Sequence, residues 1–222
     1  SDLGLSISYA IQKSPKGLAE AFIIGEEFLN GSPSVLILGD NLFYGHELTK
    51  NLRNANENIE FSTIFAYKVI DAKRYGVIEF DKNLVVKSIE EKPVKPKSDF
   101  AITGLYFYDK NVCNYAKEIT PSKRGELEIS DLNEIYLNEK KLKVEVLGRG
   151  IAWLDTGTFD SLLEASSFIR TVEKRQGLKI GCPEEIAWRL GYIDREKLTL
   201  LSSKYQNSNY GQYLLKITKD GQ

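Results

Sequence analysis

The run Ser34-Val35-Leu36-Ile37-Leu38 is almost wholly apolar and stops at Gly39-Asp40-Asn41. Upstream of it, residues 18–29 place Leu18, Ala21, Phe22, Gly25 and Phe28 at helical spacing. A short apolar run after such a helix reads as a central parallel strand covered on both faces. Residues 5–11, LSISYAI, alternate and are rich in β-formers, and Ser14-Pro15-Lys16-Gly17 is turn chemistry. Strand, helix and strand make one βαβ unit, and a parallel pair requires a crossover of this kind. The chain is therefore expected to carry an α/β core.

Further along, a helix is expected over 46–58 and a strand over 61–69. Strands near 75–80 and 84–90 are joined by the hairpin signal Asp81-Lys82-Asn83. Pro93 and Pro96 keep 93–98 irregular. FAITGLYFY, residues 100–108, is a strongly apolar strand. Short helices at 110–118 and 130–140, a strand at 142–148 and a last short strand at 151–155 complete a core over 1–157. From 158 the pattern turns helical, at about 158–176, 183–190, 194–202 and 209–217, and reads as a C-terminal region over 158–222 packed on the core.

Composition narrows the function. Lys and Arg number 30 against 31 Asp and Glu. That near-neutrality gives no electrostatic case for nucleic acid or a membrane surface as partner. No run approaches the roughly 20 apolar residues that a membrane span needs. Cys113 and Cys182 fit no metal spacing and suit a reducing, cytoplasmic compartment, with a single bridge as the alternative. One histidine, His46, and two isolated cysteines cannot build a Ser-His-Asp, Cys-His or metal-thiolate centre. The chain contains no methionine, so the sequence is expected to be a processed product or a fragment.

Four places carry candidate chemistry. Asp40 ends an apolar strand, where open α/β sheets hold ligands. It suits a hard cation on a phosphate; a turn or N-cap aspartate, the commoner role, is the alternative. Asp155, in Trp153-Leu154-Asp155-Thr156-Gly157-Thr158, repeats the pattern and offers a second oxygen ligand to the same cation; a helix start capped by Thr156 or Thr158 is the alternative. Glu91 and Lys92 adjoin a strand end, where Glu91 suits sugar hydroxyls and Lys92 suits a phosphate; two solvated charges is the alternative. Gln12 carries an amide suited to the edge of a pyrimidine, and Gly17 allows close backbone approach; an ordinary turn is the alternative.

The strings GLAEAFIIGEEFL, LILGDNLFYGHEL, RYGVIEFDKN, SIEEKPVKPKSDFAITGLYFYD, RGELEISDLNEIYL, GRGIAWLDTGTFDSLLEAS, VEKRQGLKIGCPEEIAWR and NYGQYL follow in one order. Together they closely resemble the glucose-1-phosphate thymidylyltransferases, sugar nucleotidyltransferases that make dTDP-glucose. The resemblance covers essentially the whole chain. It implies a doubly wound, Rossmann-like α/β fold with a mixed sheet, a sugar-binding β insertion and a helical C-terminal region. It implies a Mg²⁺-dependent attack of glucose 1-phosphate on the α-phosphorus of dTTP, as in dTDP-rhamnose biosynthesis, with positioning and charge neutralisation as the catalysis.

By matching motif, Asp40 and Asp155 are implied as Mg²⁺ ligands, and Gln12 and Gly17 as the thymine readers. Leu38, Asn41, Tyr75, Gly76, Glu91, Ile102 and Trp153 are implied around the sugar, with Lys92 and Arg124 on phosphate oxygens. Tyr44, Gly45, Lys179, Glu185, Ile186 and Arg189 match a second site for a feedback dTDP-sugar, and the family is typically homotetrameric. The family's Gly-rich L-A-G-G-x-G-T-R-L loop and K-x-L-x-P stretch have no counterpart here. The 222-residue chain is accordingly expected to be N-terminally incomplete and poorly active alone. A relative using UTP or CTP, a non-catalytic nucleotide-sugar binding or assembly module, and a metal-dependent glycosyltransferase are the alternatives.

Overall fold

The computed structural model describes residues 1–220. Contacts divide the chain into two compact units. One comprises Ala10–Ser161; the other comprises Ser1–Tyr9 together with the chain from Leu162 onward.

The chain begins without regular structure. The expected strand over 5–11 does not form: Leu5, Ile7, Tyr9 and Ile11 are all exposed. Alternation alone does not hold an extended segment, because a strand needs a neighbour to take its N–H and C=O groups. The expected helix over 18–29 forms as two short pieces, α1 (Glu20–Ile24) and α2 (Glu26–Leu29), divided at Gly25 and stopped by Asn30 at φ 45°. The apolar run yields β1 (Ser34–Ile37), followed by β2 (Asn41–Gly45), α3 (Leu48–Glu57) and β3 (Ser62–Lys68). After a 3₁₀ turn at Ala72–Arg74 come β4 (Gly76–Phe80), β5 (Val86–Glu91) and β6 (Phe100–Tyr108). Then follow α4 (Val112–Glu118), α5 (Ile129–Asn138), β7 (Leu142–Leu147) and β8 (Ile151–Asp155).

The strand order is β5-β4-β6-β3-β7, with β1 also paired to β6. Only the β3–β7 pair is parallel among the pairs in this mixed sheet of the described residues. This corrects the reading of 34–38. Its strand lies antiparallel to β6, not parallel, and Val35 and Ile37 are 44% and 62% exposed. The strand buried on both faces is β6, in which every residue after Phe100 is buried. An apolar run shows that a strand is well suited to burial, but its exposure depends on which neighbours cover it.

Side-chain alternation sends the sheet's residues to two clusters. Ile64, Ala66, Ile102, Tyr106 and Tyr108 face Phe22 of α1, Val112 and Ala116 of α4, and Leu132 and Tyr136 of α5. Phe65, Leu105 and Phe107 face Ala55 of α3, Ile151 of β8 and Phe43 of β2. Helices thus cover both faces, as a doubly wound arrangement requires. The β4–β5 hairpin turns where expected, with Asp81 Oδ1 accepting from the N–H groups of Asn83 (2.8 Å) and Val85 (3.1 Å). An antiparallel ribbon of β2 and β8 lies beside the main sheet in topology, pairing Asn41 with Asp155 and Gly45 with Ile151.

In the second unit the helices are α6 (Phe159–Gln176, which starts just before the division), α7 (Pro183–Arg189), α8 (Arg195–Ser203) and α9 (Asn209–Asp220). Leu198 and Leu201 of α8 pack with Tyr213, Leu214 and Ile217 of α9 and with Ala187 of α7. Asp194 caps α8 through its side chain, accepting from Lys197 N at 2.7 Å. Asp2 holds the chain start to the same helix through Lys197 (3.1 Å) and to Lys204 just beyond it (2.6 Å). Among the described residues no helix is long and apolar enough to cross a membrane. Both cysteines are buried free thiols, and burial raises the pKa of each.

Candidate active site

A cleft in the first unit is lined by Leu38, Asp40, Asn41, Tyr75, Gly76, Glu91, Lys92, Ile102, Trp153 and Asp155, all of them singled out in the sequence. Leu18, Arg74, Gly104, Tyr106, Ile129 and Ser130 line it too and were not.

Asp40 and Asp155 enter from the strand ends of the β2–β8 ribbon. The turn after Asp155 is tied to Asp40, whose carbonyl accepts from Thr156 N (2.9 Å) and Thr156 Oγ1 (2.8 Å). Each carboxylate is held by one oxygen: Asp40 Oδ1 by Asn41 Nδ2 (2.9 Å), Asp155 Oδ1 by Gly157 N (3.1 Å). Gly157 fits closely there, since a Cβ on it would meet Asp155 Oδ1 at 3.1 Å. No lysine or arginine forms an ion pair with either aspartate among the described residues. Two unpaired carboxylates on neighbouring strand ends are a hard oxygen donor set, fit for a small divalent cation. No third His, Cys, Asp or Glu joins them among the described residues. Such a site leaves most of a cation's coordination to water and substrate phosphates, which is the habit of Mg²⁺.

Glu91 and Lys92 stand at the end of β5, where the chain turns: Lys92 adopts φ 42° immediately before Pro93. A left-handed backbone at a lysine costs about 1–3 kcal/mol and turns the chain sharply. Lys92 N donates to Tyr75 O at 3.1 Å, which secures the turn, and its ammonium comes within 3.9 Å of Glu91 Oε1. On the other oxygen, Ser130 Oγ donates to Glu91 Oε2 at 2.5 Å. Arg124 is not among the lining residues, but Nη1 stands 3.8 Å from Glu91 Oε1 and 3.6 Å from Glu128 Oε1. Its Nη2 donates to both oxygens of Glu126, at 3.1 and 2.9 Å.

Aromatic rings floor the cleft. Tyr75 and Tyr67 each contact Trp153, with centroids 5.1 and 5.8 Å away. Burial raises the Tyr75 phenol above its ordinary pKa, and the nearby Asp155 charge adds to the rise. Burial pushes Tyr106 up more strongly. Both stay protonated donors at neutral pH.

Gln12 and Gly17 lie outside this set of lining residues, although Leu18 is within it. Gln12 Nε2 donates to Gly17 O (3.1 Å) and Glu20 Oε2 (2.6 Å). Gly17 has φ 102°, and a Cβ there would meet the Leu127 backbone at 2.3 Å, so only glycine fits. Tyr44 and Gly45 lie on β2, in the first unit. Lys179, Glu185, Ile186 and Arg189 belong to the second. There Glu185 accepts from Arg189 Nε (2.8 Å) and from the Tyr213 hydroxyl (2.5 Å). Lys179 pairs with Glu173 at 2.6 Å.

Ser130 and Gly104 were missed because their contacts reach across the fold. Neither a serine in RGELEIS nor a glycine in a strand signals such a partner by itself.

Residues 1–172 match the family model described as nucleotidyl transferase. This chain belongs to the nucleotidyl transferase family. Among similar members, a glucose-1-phosphate thymidylyltransferase of Neisseria meningitidis serogroup A is 55% identical over 219 residues, 99% of this chain and 76% of that protein. The protein of that name in Mycobacterium tuberculosis H37Rv is 51% identical, over 97% of this chain and 74% of that protein. Among solved nucleotidyl transferases, a Bacillus anthracis protein titled as a glucose-1-phosphate thymidylyltransferase in complex with a sucrose superposes with TM-score 0.70 and 35% identity. It covers 82% of this chain and 70% of that one. A UDP-glucose pyrophosphorylase with UDP-glucose gives TM-score 0.66 and 26% identity, over 74% and 66%.

Proposed function

We propose that this nucleotidyl transferase chain forms dTDP-glucose and pyrophosphate from dTTP and glucose 1-phosphate. The observation that carries the reading is the meeting of two unpaired aspartates with the Glu91–Lys92 pair in one cleft. One part of such a cleft suits a cation-borne triphosphate, the other a phosphorylated sugar.

In this reading a phosphate oxygen of glucose 1-phosphate attacks the α-phosphorus of dTTP, and the bond to the β-phosphate oxygen breaks. Asp40 and Asp155 hold Mg²⁺, which when bound neutralises charge on the phosphates. Glu91, with one oxygen fixed by Ser130, accepts hydrogen bonds from sugar hydroxyls. Leu38, Asn41, Tyr75, Gly76, Ile102 and Trp153 shape the sugar's surroundings. Lys92 and Arg124 neutralise phosphate oxygens, and Arg124 exchanges Glu126 for substrate as it does so. Gln12 and Gly17 read the thymine. On the second unit, Lys179, Glu185, Ile186 and Arg189 serve a feedback dTDP-sugar; Tyr44 and Gly45 are further residues of that proposal, in a homotetramer.

The test is pyrophosphate release on adding dTTP, glucose 1-phosphate and Mg²⁺. Release with a preference for dTTP over UTP and CTP supports the reading. No release, with dTDP-glucose still bound in calorimetry, replaces it with a binding module. A preference for UTP moves it toward the pyrophosphorylase neighbours.

A further inference from the structure

The side chain of Asn41 connects three strands. Its Oδ1 accepts from Trp153 Nε1 on β8 at 2.6 Å and from Gly104 N on β6 at 3.1 Å. An indole N–H and a backbone N–H can only donate, so the atom facing both must be the amide oxygen. The amide nitrogen is thereby turned to Asp40, and Nδ2 donates to Asp40 Oδ1 at 2.9 Å. That bond settles which carboxylate oxygen is engaged and leaves Oδ2 without a hydrogen bond among the described residues.

Gly104 makes this possible. The β3–β6 register runs Ile64 opposite Tyr106, then Ala66 opposite Ile102, so β6 carries extra residues at a bulge that contains Gly104. At the bulge the Gly104 backbone turns from β3 to the 38–41 segment: its carbonyl accepts from Leu38 N (2.9 Å), and its N–H goes to Asn41. A Cβ at 104 would stand 2.7 Å from Asn41 Cγ and Oδ1 and 2.8 Å from Nδ2. A glycine in the middle of the most buried strand is unfavourable for the strand itself, and bulges of this kind recur beside active sites.

We infer that Asn41 is a positioning residue, seated by the Gly104 bulge, that fixes the Asp40 carboxylate for its cation. The inference rests on the proposed reading of Asp40 and Asp155 as cation ligands. It gives Asn41 a task that precedes any contact with sugar.

The experiment titrates the protein with Mn²⁺, followed by electron paramagnetic resonance, with neither nucleotide nor sugar present. Wild type is compared with Asp155→Asn, Asn41→Ala and Gly104→Ala. The alanine at 104 removes no polar atom, and the three atoms nearest its Cβ all belong to the Asn41 amide, so the amide is what must be displaced. Indole N–H resonances of Trp153 and Trp188 are recorded alongside. The expected result is that both Asn41→Ala and Gly104→Ala raise the Mn²⁺ dissociation constant at least about fivefold, as loss of one orienting hydrogen bond would. The Trp153 indole signal moves in both, and that of Trp188, in the second unit, stays in place. If wild type binds no Mn²⁺, or Asp155→Asn binds like wild type, the reading of the two aspartates falls and this inference with it. If Asp155→Asn weakens binding while Asn41→Ala and Gly104→Ala do not, this inference alone is overturned, and Asn41 is left as a sugar contact. Should Asn41→Ala fail to fold, Gly104→Ala decides.

Discussion

Ser130, in the first turn of α5, donates its hydroxyl to Glu91 Oε2 at the end of β5 across 2.5 Å. The acid that lines the cleft, and is proposed to meet the sugar, is thus held by a helix that packs in the core. Its other oxygen remains directed toward Lys92 and Arg124.

Ser130→Ala frees that carboxylate to rotate. A hydrogen bond to a charged group contributes roughly 1.5–3 kcal/mol. We expect the KM for glucose 1-phosphate to rise about tenfold, with kcat changed less than about threefold. Steady-state kinetics with dTTP held saturating measure it; an equal fall in kcat would place Ser130 in the chemical step instead.

Asp155→Asn removes one of the two carboxylates proposed to hold the cation. Turnover is expected to fall by about 100-fold or more, because charge neutralisation of the phosphates is the main catalytic device of phosphoryl transfer. Asp155 has no buried ion pair to lose, so the melting temperature should move by only a few degrees. Pyrophosphate release and a thermal melt together test this; near-normal activity removes Asp155 from the cation site.

Tyr108→Phe tests the core beneath the sheet. Tyr108 and Asn133 are both fully buried, and the Tyr108 hydroxyl donates to Asn133 Oδ1 at 2.7 Å. Asn133 Nδ2 has no partner among the described residues, so the substitution leaves the whole amide unsatisfied. The expected cost is about 1–3 kcal/mol, read from urea unfolding. No change in midpoint would mean that water already serves this amide.

Asp2 gives a pH signature. Hydrogen bonds to Lys204 and Lys197 lower its pKa from 3.8 to about 2. A carboxylate whose folded pKa lies below its unfolded one adds stability that is complete above the unfolded value. That stability fades as pH falls through the folded value. The stability difference between wild type and Asp2→Asn should therefore be steady from pH 7 to near 5, shrink between about 4 and 2, and be gone below. Melting curves of the pair across that range check it, and a difference that grows on acidification would contradict it. The pair is exposed and screened by salt, so the effect should also diminish at high ionic strength.

Much of the sheet was legible because hydrophobic patterning is local. FAITGLYFY announced β6, and Asp81-Lys82-Asn83 announced the hairpin. LSISYAI misled because strand propensity is only half of a strand; the other half is a partner. The run at 34–38 misled because apolar content does not encode strand direction. In the cleft, Asp40, Glu91, Lys92 and Asp155 were visible as charged residues at strand ends. The left-handed turn at Lys92 that brings two of them together was not, since nothing in Glu-Lys-Pro demands φ 42°. Ser130 and Gly104 were hidden for a related reason: their roles exist only through residues distant in sequence.

The bulge in β6 also makes one amide a local gauge. The Gly104 N–H sits in the centre of a strand buried along nearly its whole length, yet it hangs on a side chain, not on the sheet ladder. Its hydrogen exchange is therefore governed by how long Asn41 keeps its place, while its strand neighbours exchange only when the sheet opens. A single slow or fast proton in the interior would report from within the sheet whether the cleft above it is in order.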